Sequence, residues 1–119
     1  MTNAPNTDHT EALLEGVRAA LAAGEPLRIH GSDTKRHCIG RAIEATPLGT
    51  AQHSGITHYE PGELVLTARA GTSLAALQAA TAEQGQTLAF DPPVYGGAAT
   101  LGGTLACNLS GPARPWAGS

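Results

Sequence analysis

The stretch from Asp91 to Gly111 constrains this chain more than any other. Gly96, Gly97, Gly102, Gly103 and Gly111 stand there among alanines, Thr100, Thr104 and Asn108, behind the stiff pair Pro92-Pro93. Glycine lacks the Cβ that otherwise holds a ligand away from the main chain or forbids positive φ. The stretch is therefore expected to turn N–H groups outward into a concave nest for a phosphate. A merely tight loop has the same composition, and a short glycine motif alone is weak. A second loop of the same kind decides between the two.

That loop is Gly31-Ser32-Asp33-Thr34-Lys35, directly after Leu27-Arg28-Ile29-His30, whose alternation and β-branched residue predict a short strand. It joins a glycine at a strand's carboxyl end to hydroxyls that can bond phosphate oxygens and a lysine that offsets their charge. A pyrophosphate suits such a loop. Its spacing is neither the Gly-x-Gly-x-x-Gly of a Rossmann turn nor the Gly-Lys-Ser/Thr of a P-loop.

The rest of the chain narrows the class. A length of 119 residues allows one modest core, and with 3% aromatics the apolar share is mostly Ala, Leu and Val, which favours layered α/β packing. A net charge of -3 without a basic run offers nothing to a nucleic acid or an anionic membrane surface. Cys38 and Cys107 have neither metal nor redox spacing, and both are expected to be reduced and partly buried. The histidines His9, His30, His37, His53 and His58 lack further ligands at suitable spacing and are expected to be ordinary surface side chains. No apolar run reaches the ~20 residues of a membrane span, and residues 1–10 carry no signal segment. A soluble, cytoplasmic protein is expected.

In chain order, residues 1–9 read as a disordered lead, although Asp8 with Glu11 resembles a capping box. Leu13, Leu14, Val17 and Leu21 predict one apolar stripe on a helix from Thr10 to Ala23, closed by Gly24. Ile56 to Glu60 and Leu64 to Ala70 predict a hairpin whose Pro61-Gly62 suits a type II turn. Thr72 is expected to cap a helix from Ser73 to Gln84, with Leu74 and Leu77 inward and Gly85 ending it. Thr87 to Phe90 predict one more strand. The final run Gly111 to Ser119 has turn residues and Trp116 as an anchor but leads nowhere, as in a domain cut in its middle.

The succession Ile29 to Lys35, Ile56 to Thr72, Asp91-Pro92-Pro93 and Ala99 to Gly103 resembles the FAD-binding domain of the vanillyl-alcohol oxidase (PCMH-type) flavoprotein family. Within it, Gly111 to Ser119 is similar to the FAD-binding subunits of bacterial glycolate oxidases. The likeness spans nearly everything after Leu27, and order and separation make it specific. It implies an α+β fold: residues 10–119 would form a truncated N-terminal α/β subdomain, without the second subdomain and the cap. It also implies that Gly31, Ser32, Asp33, Thr34 and Lys35 hold the FAD pyrophosphate, with Thr100, Gly102, Gly103 and Asn108 as the second contact surface. Some members tether the flavin through a first-loop histidine. Thr34 stands at that position, so non-covalent FAD is implied.

The same resemblance implies oxidation of glycolate or a similar small 2-hydroxy acid to the keto acid. A second flavin subunit and an iron–sulfur subunit would be partners, with contact to the inner membrane only through the complex. Substrate groups would lie in the cap, so no catalytic residue is assigned, and no metal. Alternatives are a non-catalytic scaffold subunit of the same complex, or another FAD enzyme of the family such as a D-2-hydroxy-acid dehydrogenase. The 119 residues alone are expected to bind FAD weakly.

Overall fold

The computed structural model describes residues 6–38 and 40–117. It is a mixed α+β arrangement of α1 (Thr10–Ala23), β1 (Leu27–His30), β2 (Thr46–Gly49), β3 (Ile56–Glu60), β4 (Val65–Ala68), α2 (Leu74–Ala82), α3 (Leu101–Cys107) and α4 (Arg114–Ala117).

The first helix has the expected bounds, and Gly24 takes φ 66° as its left-handed end residue. Its start is not a capping box. His9 is the cap residue and makes no side-chain capping bond. Asp8 instead accepts the Thr10 N–H at 2.9 Å and the Thr10 hydroxyl at 2.6 Å, while Arg69 Nη2 donates to its other oxygen at 3.1 Å. Those donors hold the Asp8 carboxyl well below the usual carboxylate range, the Thr10 hydroxyl most of all. Thr7 exchanges main-chain bonds with Ser54 at 2.8 and 3.1 Å. Residues 6–9 are thus tied to the body of the fold rather than forming a disordered lead; residues 1–5 lie outside the described residues. The apolar stripe is only partly used. Ala20 is buried but Leu21 is 81% exposed, and α1 approaches β2 at Gly16, where an added Cβ would meet Leu48 Cδ1 at 2.9 Å.

The strands form two separate pairs. β1 and β2 are parallel, from Leu27 opposite Thr46 to His30 opposite Gly49. Thr50 prolongs the pairing by donating both its N–H (2.8 Å) and its hydroxyl (3.1 Å) to the His30 carbonyl. Between these strands the chain makes an excursion, residues 31–45, which carries the first loop. β3 and β4 form the expected antiparallel hairpin, with a register shift between Ile56 and His58. The connection differs from a type II turn. Pro61–Glu63 make one 3-10 turn, and the left-handed residue is Leu64 at φ 57° rather than Gly62. The Pro61 carbonyl accepts from both Leu64 N–H (3.2 Å) and Gln86 Nε2 (2.8 Å), which fixes the helical bend.

Helix α2 is capped by Ser73, whose hydroxyl accepts the Ala76 N–H at 3.1 Å. Thr72, expected in that role, is buried and serves the neighbouring turn. Its hydroxyl accepts from Gly55 N–H at 2.9 Å and donates to the Arg69 carbonyl at 2.7 Å. Gly85 ends the helix at φ 66°. Leu74 and Leu77 are 1% exposed and with Ala99 form the core, closed in by Ile56, Leu66, Ala68, Leu88 and Leu101. Full burial of each leucine contributes about 1.5–3 kcal/mol. Thr87–Phe90 form no strand. Leu88 packs on the core and Asp91 N–H bonds the Ser110 carbonyl at 3.1 Å, so side-chain packing and one bond hold this segment in place of a ladder.

Candidate functional site: a cationic cleft between two glycine segments

The second glycine segment folds differently from the expected nest. Thr100 caps α3 with its hydroxyl on the Gly103 N–H at 3.2 Å, and Gly102 and Gly103 lie inside the helix. The Leu101 N–H goes to the Thr72 carbonyl and the Gly102 N–H to the Ala70 carbonyl, both at 2.8 Å. These donors are spent within the protein. Gly102 is required for packing instead, because a Cβ there would lie 2.9 Å from Ala70 Cβ. Glycine at this position lets α3 press against the end of the hairpin.

The first segment keeps its donors. Among the described residues the N–H groups of Ser32, Asp33, Thr34 and Lys35 have no acceptor within the protein. Asp33 adopts φ 58°, a left-handed conformation that Asp and Asn tolerate better than most residues. Its carboxylate pairs with Arg28 Nη1 at 2.9 Å and lies 3.8 Å from Arg36 Nη1. Lys35 is buried to 9% exposure and has no ion pair among the described residues.

The two segments meet. A Cβ on Gly31 would collide with the Thr100 hydroxyl, so the first loop rests directly on the cap of α3. Together they wall a cleft of about 470 Å³ that takes in Gly31 to Lys35, Thr100, Gly102 and Gly103. Thr34 and Gly102 line the same space. Asn108 does not: it sits at the far end of α3 in a left-handed cap at φ 51°.

Further lining residues escaped the sequence analysis. Arg28, Arg36 and Arg41 add positive charge, and His30, Thr50 and Cys107 also face the cleft. Arg28 was legible only as one position of a strand, and no sequence signal singled out Arg36 or Arg41. His30, expected on the surface, is half-buried with Nδ1 3.0 Å from the Gly31 carbonyl. Cys107 is half-buried as expected, whereas Cys38 is exposed. Among the described residues no three His, Cys, Asp or Glu side chains gather as a metal site, and no helix is long and apolar enough to cross a membrane.

Such a wall can do one thing well. Free main-chain N–H groups, small hydroxyls and four cations against one carboxylate favour a multiply charged anion such as a diphosphate, and the donor set fits the pyrophosphate of a dinucleotide. The family model for the FAD binding domain matches residues 6–119. Over 112 residues the chain is 47% identical to "Glycolate oxidase subunit GlcE" of Escherichia coli (strain K12), a match covering 94% of this chain and 32% of that relative. The chain thus spans about a third of the length of the curated relative it matches. No solved structure matches it. On the family match and the shared sequence, this chain belongs to the FAD-binding domain family, as a PCMH-type FAD-binding fragment.

Proposed function

We propose that this chain is the diphosphate-holding part of the FAD site in a flavin-dependent 2-hydroxy-acid oxidoreductase subunit, one that oxidises glycolate to glyoxylate. One observation carries the reading: Gly31 to Lys35 and the start of α3 line a single cleft in which Arg28, Lys35, Arg36 and Arg41 outnumber Asp33. In this reading Ser32, Thr34 and Lys35 hold the pyrophosphate through N–H, hydroxyl and ammonium groups. Thr100, Gly102 and Gly103 shape the opposite wall, and Asn108 acts through the end of α3 rather than by lining the cleft. Bound flavin supplies the electron acceptance, and the protein supplies position and charge. The name of the relative supports a subunit role; a second flavin subunit, an iron–sulfur subunit and contact with the inner membrane belong to the proposal. So does the limit of the domain, with residues 10–119 as one part and the substrate-binding part elsewhere in the protein.

Thr34 leaves the first loop without an imidazole at the position where some relatives attach the flavin, so FAD is held non-covalently. The full-length protein, purified apart from its partners, is expected to be yellow and to release all its flavin on acid precipitation. A yellow pellet would show a covalent bond. A colourless full-length protein that still assembles with its partners would favour the second reading, a scaffold subunit, to which the internally used N–H groups of Leu101 and Gly102 lend support.

A further inference from the structure

Arg28 and Asp33 both line the cleft, and their ion pair at 2.9 Å is only partly open to water, with side-chain exposures of 19% and 32%. Asp33 is the one carboxylate in a lining that contains Arg28, Lys35, Arg36 and Arg41. Its second oxygen faces Arg36 at 3.8 Å. A carboxylate thus sits where a phosphate is expected, on the guanidiniums that recognise both groups through the same forked donors.

We propose that Asp33 is a resident counter-anion: it occupies the Arg28 guanidinium until a diphosphate takes its place, and so sets how tightly the cleft binds. This rests on the diphosphate reading above. Asp33 holds Arg28 through the single Nη1 contact, and that nitrogen cannot serve Asp33 and a ligand in the same direction at once. A diphosphate that takes Arg28 Nη1 must displace Asp33, and one that takes the other edge of the guanidinium must tolerate a negative neighbour; either weakens binding. Loop shape does not demand the charge, since φ 58° at Asp33 is equally open to Asn and freely open to Gly.

The test is titration of the full-length protein and its Asp33→Asn variant with FAD and, separately, with inorganic pyrophosphate. Asp33→Asn is expected to tighten both by about tenfold at low salt. That gain should shrink to about twofold or less at 1 M salt, where the screening length is ~3 Å. It should vanish in an Arg28→Gln background, a dependence that a merely structural Asp33 would not produce. Unchanged or weaker binding by a folded Asp33→Asn overturns the proposal. Should Asp33→Asn not fold, Asp33→Gly carries the same expectation and the same refutation. Binding of pyrophosphate with this pattern but no binding of FAD would remove the flavin reading and leave the role of Asp33 intact. FAD binding without any gain in the variants would do the reverse, and absence of both ligands from every variant would end both.

Discussion

The two glycine segments face each other across one cleft yet use glycine for different ends. At the first, Gly31 brings the main chain against Thr100, and the N–H groups of Ser32 to Lys35 have no acceptor among the described residues. At the second, Gly102 lets α3 reach Ala70, and the N–H groups are consumed by the Ala70 and Thr72 carbonyls and the Thr100 hydroxyl. The first segment is a donor surface; the second is a packed wall. A glycine-rich sequence therefore marks a close approach of backbone, and only the fate of the neighbouring N–H groups tells whether the partner is a ligand or the protein itself.

Substitutions that act on one side and spare the other test this division. The largest effect is expected from Gly102→Ala, which forces a Cβ to 2.9 Å from Ala70 Cβ and 3.1 Å from its carbonyl oxygen. Overpacking of this kind costs about 1–3 kcal/mol, read as a lower urea midpoint and partly restored by Ala70→Gly in the double variant. An unchanged midpoint would mean that α3 is not pressed on the hairpin. Thr100→Val keeps the shape against Gly31 but removes the acceptor for the Gly103 N–H, an expected loss of about 1–2 kcal/mol by the same measurement.

Lys35→Met belongs to the other side. It removes a mostly buried charge that has no ion pair among the described residues, so stability is expected to hold or rise slightly, while affinity for FAD in the full-length protein falls by about tenfold. A loss of stability without loss of affinity would place Lys35 with the wall rather than the donors. The smallest effect is expected far from the cleft, at Asp8. The Thr10 donors and Arg69 depress its folded-state pKa, so its contribution is present above the unfolded value of about 3.9 and fades as pH falls below it. Asp8→Asn should therefore lower Tm slightly at neutral pH, and the gap to the parent chain should close in acid.

Much of this was legible in the residues. Gly24 and Gly85 mark helix ends because no other residue takes positive φ there as cheaply, and both do so. Leu74 and Leu77 mark the core through their helical spacing, and both are buried. The failures share one cause, which is competition for a group by a partner distant in sequence. Gln86 takes the Pro61 carbonyl and changes a turn. Gly55 takes the Thr72 hydroxyl and moves a helix cap to Ser73. Arg69 takes Asp8 and anchors residues expected to be loose. Gly31 to Lys35 and Thr100, Gly102 and Gly103 line one cleft, and the sequence singled them out because glycine and hydroxyl clusters are local signals. Arg28, Arg36 and Arg41 were missed because single charges form no motif, and it is the loop after β1 that turns them to one cleft.

The excursion between β1 and β2 has an outcome for how the protein responds to its own ligand. Both strands are short and their pairing closes over residues 31–45, so anything clasped by those residues also fastens the two strands to each other. Occupancy becomes a staple across a four-rung ladder, worth about 2.7 kcal/mol at a hundredfold excess over Kd. Amide protons of Ile29 and Leu48 should then exchange more slowly in step with the fraction of sites filled, which gives a colour-independent count of filled sites.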